Sequence, residues 1–316
     1  MLSPAVMLHL VFAGIALGST GETRALWQRT DTSLAWTEGG KIVWQWSFDP
    51  AKGKPFFHPL SLHGGPSLTA FRPSDHPWHY GLWFSWKFIN GANYWEEDAT
   101  TGHAEGATRW SAPLIETRED GAATIALELS YTHPSGRIDL TERRDLIISA
   151  PLADGSYTID WRSTFVAGPA GAVLDRTPMP NEAQGKINGG YGGLAARLPS
   201  APAVVSYVTS EGVVDEFISD RARPAAGAVA ANVSEGAAVF GGLAILSARP
   251  NAGEHAPWYL VHGDMRFFCA AVLAPKILTL PPRGVLTVHY LVRLQPAKWT
   301  PASLRTALAD WRLEPK

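Results

Sequence analysis

Imidazoles, carboxylates and indole rings crowd one short stretch of this 316-residue chain, where four of its ten histidines fall between positions 58 and 79. The text runs Lys54-Pro-Phe-Phe-His-Pro-Leu-Ser-Leu-His63, then Thr69-Ala-Phe-Arg-Pro-Ser-Asp-His-Pro-Trp-His-Tyr-Gly-Leu-Trp-Phe-Ser-Trp-Lys87, then Asn90-Gly-Ala-Asn-Tyr-Trp-Glu-Glu97. Near neutral pH an imidazole either moves protons or ligates a metal. Arg72, Asp75, His76 and His79 lie within eight residues, more polar chemistry than bracing a turn requires. In one reading His76 and His79 shuttle protons, a carboxylate among Asp75, Glu96 and Glu97 assists as acid or base, and Arg72 and Lys87 orient hydroxyls or stabilise an oxyanion. In the other, His58, His76 and His79 hold a divalent metal ion, with an acid such as Glu96 or Asp264 completing a set of three or four ligands. The spacing matches no strong metal motif.

The aromatic residues indicate a class of ligand. Sugars carry flat apolar C–H faces among their hydroxyls, so a Trp or Tyr platform ringed by charged and amide side chains suits them. Trp83, Tyr94 and Trp95 read as such a platform with Lys87 as a polar partner, whereas Phe84, Trp86 and Phe88 read as core. Glu96-Glu97-Asp98 brings carboxylates to the rim, and paired carboxylates are the usual machinery of glycoside hydrolysis. Later in the chain, Tyr191 sits in Asn188-Gly-Gly-Tyr-Gly-Gly-Leu194, where glycines let backbone approach a ligand. His262, in Trp258-Tyr-Leu-Val-His-Gly-Asp264, can reach the same cleft from the second half. Loop bracing is the competing role for the histidines, and a solvated turn the competing role for the acids.

The elements that must position these groups are strands. From Trp27 onward, short runs rich in Val, Ile, Leu, Thr, Trp and Tyr alternate with Gly, Pro, Asp and Asn clusters, which is strand and turn punctuation. Strands are predicted at Lys41 to Phe48, Tyr80 to Ile89, Ala123 to Tyr131, Ile138 to Ser149, Ser156 to Phe165, Val204 to Val208, Ala237 to Ser247, Met265 to Leu273 and Val285 to Leu294. The fold class is therefore all-β, a large antiparallel β-sandwich. One short helix closes the chain, with Thr300 as cap, Pro301 at the first helical position and Ala302 to Arg312 of helix-forming composition. Along Tyr80 to Ile89, alternation puts Trp83, Ser85 and Lys87 on the face of His79 and the core aromatics on the other. The Pro- and Gly-rich stretch 168–190 reads as a long functional loop.

Composition removes several function classes. With 46% hydrophobic and 18% charged residues the chain has matter for a large core and too little charge for disorder. A formal net charge of -2 without any Lys/Arg run gives nucleic acid nothing to bind. Cys269, the lone cysteine, reads as a buried small hydrophobe. Ala5 to Leu17 is apolar, and Ala16-Leu17-Gly18 before Ser19 fits a cleavage pattern of small residues. This predicts a signal peptide over 1–25, one domain over 26–316, and a periplasmic or secreted location. An uncleaved anchor is the alternative, since no Lys or Arg precedes the stretch. No later run is long and apolar enough to span a bilayer as a helix, so no integral membrane body is expected.

The Lys54-Pro-Phe-Phe-His-Pro segment, the Arg72-Pro-Ser-Asp-His-Pro-Trp-His-Tyr-Gly-Leu-Trp-Phe block, the Asn90-Gly-Ala-Asn-Tyr-Trp pattern and the Gly189-Gly-Tyr-Gly-Gly-Leu stretch resemble the bacterial PmoA-like family. The resemblance spans nearly all of the mature chain. It implies a galactose mutarotase-like sandwich, a role in carbohydrate catabolism beside enzymes that make keto-sugars, and attention to His58, Arg72, Asp75, His76, His79 and Tyr191. Trp78 departs from the pattern, where relatives often carry another histidine. The methane oxygenase label borne by the family implies a membrane subunit built of long apolar helices, which this sequence lacks. The expectation is an exported enzyme, hydrolase or lyase, that cleaves glycosides or keto-glycosides of a small carbohydrate, using a divalent metal ion or protons alone. The alternatives are a non-catalytic carbohydrate-binding protein and a soluble copper-dependent oxygenase.

Overall fold

The computed structural model describes residues 25–252 and 255–313; the expected signal segment lies outside them. Among the described residues, two ten-stranded antiparallel sheets face each other and a four-stranded sheet closes one side. The first sheet runs Leu26–Arg29, Ser33–Glu38, Lys41–Ser47, Phe56–Leu60, Leu82–Ser85, Gly193–Arg197, Phe267–Ala270, Ala256–Val261 and Arg221–Ala222, with Ala225–Ala226 attached at Ala256–Val261. The second is centred on the long strands Ala123–Thr132, Ile138–Ile148, Tyr157–Ala167, Val285–Gln295 and Ala238–Ser247. The all-β sandwich with a C-terminal helix predicted from the sequence is the fold the chain adopts.

Local sequence explains the elements. Strand Ala123–Thr132 buries alternate residues, Ala123, Ile125, Leu127, Leu129 and Tyr131, and turns the others outward, the period of a sheet with one solvated face. These side chains meet Trp44, Trp46, Leu82 and Phe84 of the first sheet, and Trp86 just past its edge, in the main core. The helix Pro301–Leu313 is capped by Thr300, whose Oγ1 accepts from the Ser303 amide at 3.1 Å. It lays Leu304, Ala307, Leu308 and Trp311 on the outer face of the second sheet, against alanines that leave room for it. No described helix is long and apolar enough to cross a membrane.

The first sheet is buried on both faces, and this places the site. A second cluster of Phe56, Tyr80, Trp83, Trp95, Tyr259, Phe267 and Cys269 covers its outer face. Burial pushes the Cys269 thiol up to about 12, consistent with an inert packing residue. The strand expected from Tyr80 to Ile89 is broken: Leu82–Ser85 stays in the first sheet, while Phe88–Ile89 leaves to pair with Ala172–Asp175 and Ala92–Asn93 in the small sheet. Ser85 Oγ fills the break by donating to the Tyr94 carbonyl at 2.8 Å. Within 168–190 the chain first forms Ala172–Asp175, then a loop fastened at both ends. Arg176 donates to the Leu273 carbonyl at 3.0 Å, and Arg223 to the carbonyls of Ile187 and Gly189 at 2.7 and 2.9 Å.

Candidate functional site

Four neighbouring strands form the floor. Register aligns Trp83 with Ala195, Ala195 with Cys269, and Cys269 with Tyr259 across the outer face of the first sheet. Above this row the turn 72–79, the segment Trp95-Glu96 and the loop ending at Tyr191 enclose a cleft of about 350 Å³. Its walls carry His76, His79, Glu96, Asn188 and Arg221 among Trp78, Trp95, Tyr191, Tyr259, Met265 and Phe267. A few convergent polar groups within an aromatic surround are the usual makeup of a small-molecule pocket.

His76 and His79 lie one above the other, their ring centroids 4.8 Å apart and nearly parallel, and His79 stacks in turn on Phe267 at 4.9 Å. Their second partners differ in kind. His76 Nδ1 is 2.9 Å from Asp75 Oδ2, and a carboxylate only accepts, so Nδ1 carries the hydrogen and Nε2 keeps its lone pair. His79 Nδ1 is 3.3 Å from Arg197 Nη1, and a guanidinium only donates, so here Nδ1 keeps the lone pair and Nε2 carries the hydrogen. Arg197 also holds both oxygens of Asp75, at 2.9 and 2.8 Å, so one buried guanidinium sets both rings. Burial first, then the charges of Arg197 and Lys54, keep the His79 imidazole well below its ordinary value and hence neutral. Burial opposes ionisation of Asp75, but the hydrogen bonds from Arg197 and His76 and the charge of Arg197 outweigh it and hold the carboxyl below its usual range. The pair thus offers the cleft one proton acceptor and one neutral proton donor.

The acids fall into two separate knots. Glu96 lines the cleft and accepts from Lys87, from the Tyr191 hydroxyl and, at 2.8 Å, from Asn93 Nδ2. Burial works against its charge, yet Lys87 and these hydrogen bonds prevail and hold the carboxyl below its ordinary value. Glu97 faces away from the cleft, beneath Trp95. It accepts from Lys54 at 3.2 Å, Arg72 at 2.8 Å and the Tyr80 hydroxyl at 2.6 Å. Burial drives the Lys54 ammonium below its ordinary value despite the opposing pull of Glu97. Lys54 also donates to the Trp95 carbonyl at 2.9 Å, tying this knot to the cleft wall.

Of the residues expected at the site, His76, His79, Glu96, Trp95 and Tyr191 line the cleft, while Asp75 and Lys87 stand behind it as partners of His76 and Glu96. Arg72 belongs to the Glu97 knot and is not among the residues that line the cleft. Trp83 is wholly buried beneath His79 as a support, and Tyr94 points into the main core, so neither is the sugar platform expected of it. His262 is exposed at the end of its strand, 5.1 Å from the ring of Phe217, and lines no part of the cleft. His58 stacks on Phe71 at 5.6 Å and bonds Thr69 Oγ1 at 3.0 Å, away from the other two imidazoles. Among the described residues no group of three His, Cys, Asp or Glu is placed to hold a metal ion. His79 in particular has one nitrogen occupied by a donor and the other protonated, which fits no ligand role. The expected His58, His76 and His79 set therefore does not form.

Arg197, Tyr259 and Phe267 carry the site from the second half, and sequence reasoning did not single them out. Arg197 is 1% exposed; a charged residue inside the apolar strand Gly193–Arg197 is the signal that could have marked it.

A family model described as a family of unknown function, DUF6807, matches residues 33–309. No curated protein sequence matches the chain. Solved structures similar to it include the alpha-galactosidase from Lactobacillus brevis, with 10% identity and a TM-score of 0.48 over 91% of this chain and 42% of that one. Others are a putative aldose 1-epimerase from Klebsiella pneumoniae, 9% identical over 90% of this chain and 84% of that one with a TM-score of 0.46, and a putative aldose 1-epimerase from Escherichia coli K12, 12% identical over 86% and 99% with a TM-score of 0.34. The chain spans less than half the length of the galactosidase it matches.

Proposed function

The chain belongs to the DUF6807 family, whose function is unknown, and we propose that its cleft binds a keto-glycoside and eliminates the substituent on its anomeric carbon, as a lyase. The carrying observation is the stacked pair of imidazoles whose Nδ1 atoms face unlike partners, Asp75 at His76 and Arg197 at His79, a pairing that leaves His76 an Nε2 lone pair and His79 an Nε2 hydrogen. That pair suits removal of a proton next to a carbonyl. His76 takes the proton from the carbon beside the ketone, and the C–H electron pair passes toward the carbonyl oxygen, which the His79 Nε2–H stabilises. As the carbonyl reforms, the C–O bond to the leaving group breaks, and the departing oxygen receives the proton from His76. One C–H and one C–O bond are exchanged for a C=C and an O–H bond, with no oxidant consumed. A neutral imidazole as the electrophile is established enzyme chemistry. The rings of Trp95, Tyr191 and Tyr259 suit the apolar face of a pyranose, and Glu96, ionised and fixed by Lys87, can accept from sugar hydroxyls.

Hydrolysis by two carboxylates is less well served. Among the described residues Glu96 is the one carboxylate on the walls of the cleft, whereas that mechanism needs an acid and a second carboxylate on opposite sides of the bond. Chemistry at copper or another metal is less well served too, because among the described residues the imidazoles do not converge as ligands. The test is turnover of a panel of glycosides and their 3-keto counterparts. The wild type is expected to release aglycone only from the keto series, and His76→Ala to lower kcat by about 10²–10⁴-fold. Cleavage of the unoxidised glycosides, or full activity in His76→Ala, overturns the reading. Saturable binding of keto-sugars without turnover would make the protein a binding module.

A further inference from the structure

Beyond one edge of the cleft lies a second, more open groove of about 690 Å³ that shares Ile187 and Arg221 with it. Its surface is unusually apolar for a solvated region. Ile187, Val213 and Ile218 are 44%, 64% and 77% exposed, and all three line this one depression between the loop that ends at Tyr191 and the segment 209–224. Exposed large hydrophobics scattered singly need no explanation, but three gathered round a groove continuous with a polar cleft mark a binding surface. Charge narrows the ligand further. Glu211, Asp215 and Glu216 also line the groove. The two cations at its inner end are engaged: Arg221 donates to the Ser219 carbonyl and to the Tyr259 hydroxyl, and Arg223 to the carbonyls of Ile187 and Gly189. These acceptors are neutral and leave both guanidiniums charged, so the groove sets three carboxylates against two guanidiniums and gives an anionic group no net attraction.

We propose that this groove is the subsite for the leaving group, and that the substrates are glycosides with an uncharged, apolar aglycone. The assignment rests on the lyase reading for the identity of the sugar ring, since a cleft of about 350 Å³ takes one ring and its substituent must lie beyond the shared wall. The groove itself is argued from its own residues and can be tested apart from turnover.

The experiment compares methyl, phenyl, 2-naphthyl and 4-carboxyphenyl keto-glycosides of the same sugar, by calorimetric binding and by kcat/KM, for the wild type and for Ile218→Lys. Affinity is expected to rise about tenfold from methyl to naphthyl, as burial of one ring edge implies, and to fall again for the carboxyphenyl compound. In Ile218→Lys the naphthyl-to-methyl preference should drop about tenfold, with the carboxylate penalty reduced. Ile218 is exposed, so this change leaves the fold intact. Equal affinity across the series, a preference unchanged in Ile218→Lys, or no binding at all overturns the subsite. Aglycone-dependent binding without release of any aglycone keeps the subsite and overturns the lyase reading alone.

Discussion

At the scale of single residues, the site depends on what each imidazole has for a neighbour. His76 and His79 are three residues apart, yet one faces an acceptor and the other a donor, and this difference assigns them opposite tasks. The short motif around them made both visible in the sequence. Nothing local revealed that Arg197 would fix their protons, nor that His58, equally prominent in the text, would turn to Thr69 and Phe71. Burial has a measurable cost here. It lowers the His58 imidazole to about 4 and the His79 imidazole well below its ordinary 6.5. A base with a depressed folded-state pKa is protonated first in the unfolded chain, so its contribution to stability is complete above about pH 6.5 and is lost as pH falls toward 4. The urea midpoint should therefore be lower at pH 5 than at pH 7.5, and His58→Gln should shrink the difference. Equal midpoints at the two pH values, or an unchanged difference in the variant, would contradict the burial assigned to these rings.

Among the elements, those with a plain sheet period were the legible ones. Ala123–Thr132, Ile138–Ile148 and Tyr157–Ala167 fall within two residues of their predicted ends, because one solvated face imposes clean alternation. The break at Trp86 was not legible, since it arises from pairing of Phe88–Ile89 with Ala172–Asp175, about eighty residues on. The platform assigned to Trp83 and Tyr94 failed for a related reason: alternation separates two faces but does not say that both are covered. The link between turn 72–79 and strand Leu82–Ser85 is Gly81, which has φ 66° and whose added Cβ would strike the Phe57 carbonyl. Phe57 belongs to the adjoining strand and cannot swing away as a side chain could. Gly81→Ala is expected to lower stability by about 3 kcal/mol or more, combining left-handed backbone strain with a backbone clash, and chemical denaturation reads it directly. A loss below about 0.5 kcal/mol would show that the turn adjusts freely and does not hold the imidazoles in place.

Across the whole molecule, the site exists only because distant segments meet. Arg197 contacts His79 and Asp75 across 118 and 122 residues of chain, brought there by pairing of Gly193–Arg197 with Leu82–Ser85. Tyr259 and Phe267 arrive through the next two strands of the same sheet. Sandwich class, helix cap and the chemistry-bearing first third could be read from pattern, whereas the second half of the cleft follows from sheet order, which one sequence does not encode locally. The most direct measurement is nitrogen-15 NMR of the histidine rings in the full chain between pH 5.5 and 8. His79 should remain neutral throughout with its hydrogen on Nε2, and neutral His76 should carry its hydrogen on Nδ1. A His79 that titrates within that range, or the same tautomer on both rings, would contradict the proton arrangement on which the proposed elimination stands.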